Sequence, residues 1–486
     1  MEHFLMLFLI FFPALCALLM AALPTDSARG RLLVAALVLE AMATGWLLSF
    51  SGAELTLFSM TPALTARLKM DDVSKLFMVI AAFGFLLSGI YALRYMGHSE
   101  RRGSFYSFFL LSLGALMGMD LSANLITMYL FFEMITLLSM PMVLHDRTPA
   151  AVRAALKYLF YSIAGAFLAL CAIFFLSRYA DTLEFIPGGS LRDPAGHETL
   201  LRVVIFLGVV GFGAKAGMYP LHGWLPDAHP AAPAPASAVL SGIIAKAGVL
   251  AIIRVVFFSV GADFVRGTWV QTAWLSLALL TVLMGSMMAF REQQFKKRLA
   301  YSSISQISYI LVGLFFLTPE AAYGGLLHLL FHAAIKICLF LVAGSFIFNT
   351  GKHNVDEFVG FGRSMPITLW SFTLASLALV GIPPASGFVS KWYLAGGALS
   401  SELPVFSWLA PVILLISALL TAGYLLPITI RGFFPGKDAA VPARNDEGGP
   451  VMWLPIVILA ALTLLLGVFS GALAGPFTAM AQSLFG

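Results

Sequence analysis

Two lysines stand in apolar surroundings where an ionisable side chain is costly. Lys215 and Lys246 lie in the two apolar segments of residues 211–254, GFGAKAGMYPLHGWLPDAHPAAPAPASAVLSGIIAKAGVLAIIR, with no acid beside either of them. An ionised lysine in hydrocarbon costs roughly 2.5 to 3.5 kcal/mol, so such a residue is by default a functional hypothesis. The five prolines between the lysines predict a broken helix, which is tolerated at membrane depth only where protein or a water-filled cavity covers the backbone. Together these features predict a hydrated interior path.

One acid is a candidate partner for these lysines. Glu133 lies in the apolar run TMYLFFEMITLLSM, with no other charged residue within ten positions on either side. Because opposite charges a few Å apart stabilise each other, we expect Glu133 to pair with Lys215. A lysine whose partner can approach or withdraw is a switchable proton site. The alternative is a protonated structural carboxyl that is hydrogen-bonded to a neighbour.

Three further ionisable residues share one helical stripe. His328, His332 and Lys336 are spaced i, i+4, i+8 in GGLLHLLFHAAIKICLF, which places them on one helix face. Histidine exchanges protons near neutral pH, so this stripe suits proton relay. Two histidines at this spacing can also bind a metal ion, but no carboxylate lies nearby in the sequence. We therefore expect no metal.

A second Gly/Pro break and a polar loop complete the candidate set. Lys391 follows the break in GIPPASGFVSK, either as a relay group or as a lysine that reaches the membrane surface from a helix end. His222, Asp227 and His229 follow the first break. These three residues are candidates for a proton entry or exit, or else they cap and brace the loop.

Composition indicates a membrane protein and excludes other classes. Hydrophobic residues make up 60% of the 486 residues and charged residues 11%, far from the roughly 45–50% and 25% of soluble domains. The net charge of +5 comes without a basic run longer than residues 296–298, which excludes nucleic-acid binding. The three isolated cysteines and the absence of nucleotide-binding and hydrolase motifs predict no cofactor and no redox chemistry of its own. Membership of an ion-translocating oxidoreductase stays open.

Apolar spans of membrane-crossing length predict an all-α polytopic protein with about fourteen transmembrane helices. The predicted spans are residues 4–23, 31–50, 73–93, 104–119, 121–144, 155–178, 200–219, 237–258, 270–290, 300–317, 321–348, 367–394, 406–430 and 451–475. Helices 7 and 12 contain the Gly/Pro breaks and are expected to be discontinuous. Loops after odd-numbered helices carry about twice as many lysines and arginines as the others, so they are expected in the cytoplasm and both termini outside.

The two breaks also suggest an internal repeat. If helices 4–8 and 9–13 are matched, the interrupted helix is the fourth of each unit, and an odd number of helices makes the units inverted. Such pairs of broken helices indicate a transport site near the membrane midplane; the alternative is two unrelated proline kinks. The expected divisions are residues 1–103 (helices 1–3), 104–260 (first repeat), 269–431 (second repeat) and 451–486 (helix 14).

Four separate blocks carry a resemblance to a known family. Residues 215–248, Glu133 within its helix, residues 328–336 (HLLFHAAIK) and residues 381–391 (GIPPASGFVSK) resemble the antiporter-like membrane subunits shared by Mrp-type cation/proton antiporters, respiratory complex I and membrane-bound hydrogenases. The resemblance implies fourteen core helices with two inverted five-helix units. It also implies a midplane proton route from Glu133 and Lys215 through Lys246 and the two histidines to Lys391.

Within that family, a lysine at position 391 is similar to the D-type subunit of Mrp antiporters and to the N-type subunit of complex I. The chain ends soon after helix 14, unlike the L-type subunit of complex I or the A-type subunit of Mrp antiporters. We therefore expect a proton-translocating subunit of a Na⁺ (cation)/H⁺ antiporter, of the D type, in a prokaryotic cytoplasmic membrane with other membrane subunits as partners. Alternatives are a subunit of a complex I-like quinone oxidoreductase or hydrogenase, a structural subunit without an ion path, and a single-chain antiporter.

Overall fold

The computed structural model describes residues 1–50, 52–61, 64–192, 196–436, 443, 445 and 447–486. The N-terminal part consists of helices α1 (Glu2–Ala22) and α2 (Asp26–Leu47), strands β1 (Glu54–Thr61) and β2 (Leu64–Lys69), and helices α3 (Asp72–Tyr95) and α4 (Arg102–Asp120). There follow α5 (Leu125–Val143), α6 (Pro149–Tyr179), α7 (Glu198–Ala216), α8 (Leu225–Ala231), α9 (Ala234–Val239), α10 (Lys246–Ile253) and α11 (Ala262–Val265).

The second half is also helical. It consists of α12 (Trp269–Arg291), α13 (Phe295–Phe315), α14 (Pro319–Thr350), α15 (Phe361–Ser364), α16 (Pro366–Val380), α17 (Ser386–Leu399), α18 (Phe406–Phe433), α19 (Pro450–Val468) and α20 (Gly471–Ser483). Within the described part of the chain, eleven helices are long and apolar enough to cross a membrane. Every predicted span falls on a helix, but α4, α13 and the α16/α17 pair are not among the eleven, so the count of fourteen crossings stays a prediction.

Residues 54–69 correct the all-helical prediction. β1 and β2 pair as antiparallel strands, with Glu54 opposite Lys69 and Leu55 opposite Leu68. Ala66 and Leu68 are buried on alternate positions of β2, which is the period of a half-buried strand. This alternation was the available signal, and it was missed because the segment is short and lies between long apolar spans.

The two predicted breaks have the same local design. α7 ends at Gly217 (φ 78°) and α16 ends at Gly381 (φ 92°), so each helix is terminated by a glycine in the left-handed region. In both cases a proline follows three residues later, Pro220 after Gly217 and Pro384 after Gly381. The chain then becomes helical again in α8 and α17. Each break therefore exposes helix-end carbonyl groups inside the protein, where side chains can bind them.

The core is built around two segments. In the helical segment of residues 234–260, every residue of the most apolar 18-residue stretch is buried. In α14, 94% of the corresponding stretch is buried. α14 packs against α3, α13, α16, α17 and α19, so side chains on every face of its central part meet protein. Ionisable residues on these two segments are thus held inside the protein and away from lipid.

Candidate functional site

Lys215 lies in the last turn of α7 and reaches across to α5. Its Nζ donates hydrogen bonds to the carbonyl of Phe132 (2.9 Å) and to Oγ1 of Thr136 (2.6 Å), and it lies 4.2 Å from the centroid of the Phe132 ring. These contacts flank Glu133, which is only partly buried. The expected direct ion pair is therefore replaced by contacts with neutral groups, while the charges of Glu133 and Lys215 interact at longer range.

Lys246 is anchored by the backbone of its own helix. The residues before it, Leu240–Ile244, form a π-helical turn, and Lys246 Nζ donates to the carbonyls of Gly242 (2.7 Å) and Ser241 (3.3 Å). A π-turn widens the helix and is frequent at functional sites. The lysine is 1% exposed, and the groups that accept its hydrogen bonds are neutral carbonyls.

On α14, Lys336 is linked by hydrogen bonds to the hydroxyl groups of neighbouring helices. Lys336 Nζ donates to Oγ of Ser302 (2.7 Å) and to the carbonyl of Leu299 (3.1 Å) on α13. The same Ser302 Oγ accepts from the hydroxyl of Tyr424 on α18 (2.7 Å). Three helices therefore meet at one serine, which links the lysine to the polar side chains of α18.

His328 and His332 lie near Lys246, Lys336 and Lys391. Nδ1 of His328 shares a hydrogen bond with Ser390 Oγ on α17 (2.9 Å), and the His328 ring stacks on Tyr309 at 5.3 Å between centroids. Within the described part of the chain, neither ring nitrogen of His332 has a hydrogen-bond partner. A fully buried imidazole of this kind keeps both nitrogens available for proton exchange.

Lys391 closes the second break. Its Nζ donates to the last carbonyls of α16, those of Leu379 (2.6 Å) and Val380 (2.9 Å), and lies 5.2 Å from the Tyr309 ring centroid. An ammonium group is favourable at a helix C-terminus, where the backbone carries partial negative charge. The break thus creates the binding site for the lysine that follows it.

The structure brings together five of the seven predicted relay residues. His332 interacts electrostatically with Lys246, Lys336 and Lys391 as well as with His328, so these groups form one cluster. Lys215 on α7 and Glu133 on α5 interact electrostatically with each other, without a direct ion pair. The sequence had predicted one continuous row.

A close helix crossing connects the pair with the cluster. A Cβ added at Gly248, on α10, would lie 2.6 Å from the carbonyl oxygen of Phe212 and 2.7 Å from the amide nitrogen of Ala216. Only glycine permits this approach of the backbones of α10 and α7. The helices that carry Lys246 and Lys215 are therefore held against each other at one point.

The three loop candidates have different surroundings. Asp227 pairs with Lys157 at 2.6 Å, and both side chains are partly exposed. Both residues line a cavity of about 610 Å³ that opens at the end of α8. His222 stacks on Tyr219 at 5.7 Å.

His229 is fully buried and stacks on Phe340 at 4.7 Å. Neither of its ring nitrogens has a partner in the parts of the chain that the structure describes. His229 is within electrostatic range of Lys296 on α13 and of Lys336 on α14.

Sequence reasoning missed two buried cations. Lys296, expected in a cytoplasmic loop, is 6% exposed in the first turn of α13, where Nζ donates to the carbonyls of Pro230 (3.4 Å) and Ala232. Arg254 is 2% exposed and makes a two-pronged contact with Asp71, at 2.5 and 2.8 Å. The available signals were a basic residue directly before a serine-rich apolar span and an arginine inside one.

Asp71 is the N-cap of α3 and lies outside the membrane-spanning helices. Burial alone raises the pKa of this carboxyl, but the charge and hydrogen bonds of Arg254 and the amide of Ser74 outweigh burial. The pKa of Asp71 is therefore lowered below its usual value, and the carboxylate is stabilised in its charged form. The pair fixes α3 to the end of the segment that carries Lys246.

Among the residues that the structure describes, no group of three histidine, cysteine, aspartate or glutamate side chains is arranged to hold a metal ion. The fold and the site together define a polytopic membrane protein with buried lysines and histidines held by neutral groups. Residues 122–428 match the family described as NADH:quinone oxidoreductase/Mrp antiporter, TM. The chain belongs to this family.

Curated relatives come from three kinds of complex. The chain is 32% identical to the N subunit of NADH-quinone oxidoreductase from Desulforudis audaxviator, over 94% of each chain. It is 31% identical to hydrogenase-4 component B of Escherichia coli, over 84% of this chain and 63% of that one, and 30% identical to the D subunit of the Na⁺/H⁺ antiporter from Bacillus subtilis, over 82% and 80%. It is thus an antiporter-like membrane subunit of the family shared by Mrp antiporters, complex I and hydrogenases.

Solved structures share the fold. A chain of the archaeal membrane-bound sulfane sulfur reductase superposes with a TM-score of 0.86 at 23% identity, covering 99% of this chain and 97% of that one. A chain of the Mrp complex of Dietzia sp. gives a TM-score of 0.84 at 23% identity, covering 100% and 99%.

Proposed function

We propose that this chain translocates protons within a multi-subunit membrane complex. The proposed carriers are the ionisable residues Glu133, Lys215, Lys246, His328, His332, Lys336 and Lys391, of which Glu133 and Lys391 are partly buried and the others fully buried. One observation supports this most strongly: the four lysines are bound by carbonyl and hydroxyl groups and form no ion pair within the described residues. A lysine held by neutral groups can give up its proton without leaving an unpaired buried carboxylate, which a permanent ion pair could not avoid.

Entry is proposed at the cavity beside Asp227 and Lys157, from which a proton reaches Lys215 or, through His229, Lys336. Approach of Glu133 stabilises the charged form of Lys215, and withdrawal releases the proton towards Lys246. Two unit charges several Å apart inside a protein interact by about 2 to 4 kcal/mol at an effective dielectric near 20. Repulsion of this size within the cluster drives release from Lys391.

The broken helices support a second element of the proposal, two inverted five-helix units spanning residues 104–260 and 269–431. α7/α8 and α16/α17 have the same design, a glycine-terminated half-helix and a lysine near the break, which is buried at Lys215 and partly buried at Lys391. Glu133 and Lys215 both lie in the first unit, on α5 and α7, so a change in the distance between them requires a movement of these two helices relative to each other within that unit.

For the complex, we propose a cation/proton antiporter in which this chain is the D-type subunit and Na⁺ is the coupled cation. A membrane subunit of a quinone-reducing oxidoreductase is the second candidate, because the relative of that type aligns over 94% of both chains. The two are distinguished by purifying the complex from its host and assaying Na⁺-dependent proton flux and quinone reduction in proteoliposomes.

The test of proton translocation is Lys215→Ala in the reconstituted complex. We expect loss of ion-coupled proton flux with unchanged assembly, because the amino group between α7 and α5 is removed. Lys75→Ala is the control, since Lys75 is a surface lysine paired with Asp72 at 3.0 Å. Normal flux in Lys215→Ala would refute the proposed route.

A further inference from the structure

Three arginines and one acid lie near the adjoining N-terminal ends of α2 and α4. Asp26 contacts Arg29 Nη1 at 3.1 Å and Arg102 Nε at 3.3 Å. Arg31 has no acidic partner within the described residues, and Nε of Arg29 is buried without a hydrogen-bond partner there. This arginine cluster (Arg29, Arg31 and Arg102) therefore has an excess positive charge of two over Asp26.

Hydrogen bonds hold the side chain of Arg102 in position within the arginine cluster. Its Nη2 donates to the carbonyl of Gly97 (2.6 Å) and its Nε also approaches the carbonyl of Ser99 (3.4 Å). Two of its nitrogens are thus fixed by the turn before α4, while Nη1 has no partner among the described residues. Arginine presents a planar array of donors that suits a phosphate group.

The cluster borders a cavity of about 750 Å³ that combines charge with an apolar wall. Its charged and polar lining includes Asp26, Arg31, Arg102 and Tyr106. The remaining wall descends along α2 and α3 and includes Val34, Ala35, Val38 and Leu93. From Arg31 to Val38 the α-helix advances about 10 Å, so the cavity passes from the charged helix ends into the apolar zone.

Arginines at helix ends alone are expected of any membrane protein, because they flank the bilayer. Here, however, an arginine without an acidic partner among the described residues lines the same cavity as an apolar wall. We infer that this cavity binds an anionic phospholipid, with its phosphate at Arg31 and Arg102 and an acyl chain along Val34 and Val38. Basic pockets between transmembrane helices bind anionic lipid headgroups in this way.

The inference is independent of proton translocation, because the cavity contains none of the proposed carriers. The experiment uses native mass spectrometry of the full chain in its complex, stripped of lipid and titrated with phosphatidylglycerol, phosphatidylcholine or inorganic phosphate. We expect retention of phosphatidylglycerol and not of the other two. Arg31→Gln should weaken retention about fivefold, since one basic residue near the surface contributes about 1 kcal/mol.

Two further variants separate headgroup and acyl-chain binding. Arg31→Lys keeps the charge but not the planar donors and should fall between wild type and Arg31→Gln. Ala35→Phe fills the apolar wall and should lower retention with every charge kept. Arg291→Gln, which removes an exposed arginine at the end of α12, is the control and should change nothing.

Four outcomes would overturn the inference. They are equal retention of phosphatidylcholine, equal binding of inorganic phosphate, equal losses in Arg31→Gln and Arg291→Gln, and lipid retention by the isolated chain but not by the complex. The last would show that another protein of the complex covers the cavity.

Discussion

His328 and His332 lie one turn apart on α14 with nearly parallel rings, 5.8 Å between centroids and 13° between planes. His328 is tied to Ser390, whereas His332 has no hydrogen-bond partner in the described chain. One histidine is therefore held in orientation and the other has both nitrogens free for proton exchange. Of the two, His332 should be the more sensitive to substitution.

We predict that His332→Gln slows proton flux by about a hundredfold, the usual contribution of a positioned proton-transfer group. Glutamine retains hydrogen-bonding capacity but cannot take up a proton. Flux is measured in proteoliposomes with a pH-sensitive dye. His353→Gln, at an exposed position after α14, should leave it unchanged; equal effects of the two variants would contradict the role of His332.

Two intramembrane acids should respond differently to amide substitution. Glu133→Gln should abolish ion-coupled flux, because an amide cannot become the charge that attracts Lys215. Glu40 on α2 is fully buried, and both of its carboxylate oxygens are without a partner in the described residues. Since α2 packs mainly on α1, α3 and α4, Glu40→Gln should leave flux intact and change the melting temperature little.

The variants Glu133→Gln and Glu40→Gln are compared in the same proton-flux assay. Loss of flux in Glu40→Gln would add a carrier outside the proposed route. Full activity in Glu133→Gln would remove Glu133 from it.

Gly248→Ala should separate α10 from α7. Both contacts of the added Cβ, at 2.6 and 2.7 Å, are with backbone atoms that cannot rotate away, and overpacking of this kind costs about 1 to 3 kcal/mol. We expect a lower melting temperature and reduced flux. Gly396→Ala is the control, because a Cβ there meets nothing within 4 Å; equal melting temperatures for both variants would show that the crossing tolerates expansion.

Asp71→Asn should destabilise the protein at neutral pH. It leaves Arg254 buried without its acid, a loss of about 3 to 5 kcal/mol for a broken buried pair. Because the pKa of Asp71 is lowered in the folded protein, its contribution is present above the unfolded-state pKa of about 3.9 and is lost as pH falls below it. Melting temperatures between pH 3 and pH 8 measure both effects.

In wild type the melting temperature should drop at the acid end, and Asp71→Asn should flatten that drop. Asp72→Asn is the control, since Asp72 is 62% exposed in its pair with Lys75 and such surface pairs contribute about 0 to 1 kcal/mol. An unchanged acid profile in Asp71→Asn would rule out the pair as its source.

The sequence by itself determined the membrane class, the positions of the helices and the two breaks, because hydropathy and the backbone preferences of glycine and proline act within a few residues. It also identified the intramembrane lysines and histidines, since each is conspicuous in an apolar run. The antiparallel strands β1 and β2 were missed, because the alternation of apolar and polar residues in them is weak beside the long apolar spans.

Only the tertiary structure decided which ionisable groups meet. It placed Lys215 on Phe132 and Thr136 and gathered Lys246, Lys336 and Lys391 around the two histidines. It also joined Arg254 to Asp71, 183 positions away in the chain. Such contacts depend on how helices pack across the whole fold, and apolar surface alone does not specify which faces of neighbouring helices come together.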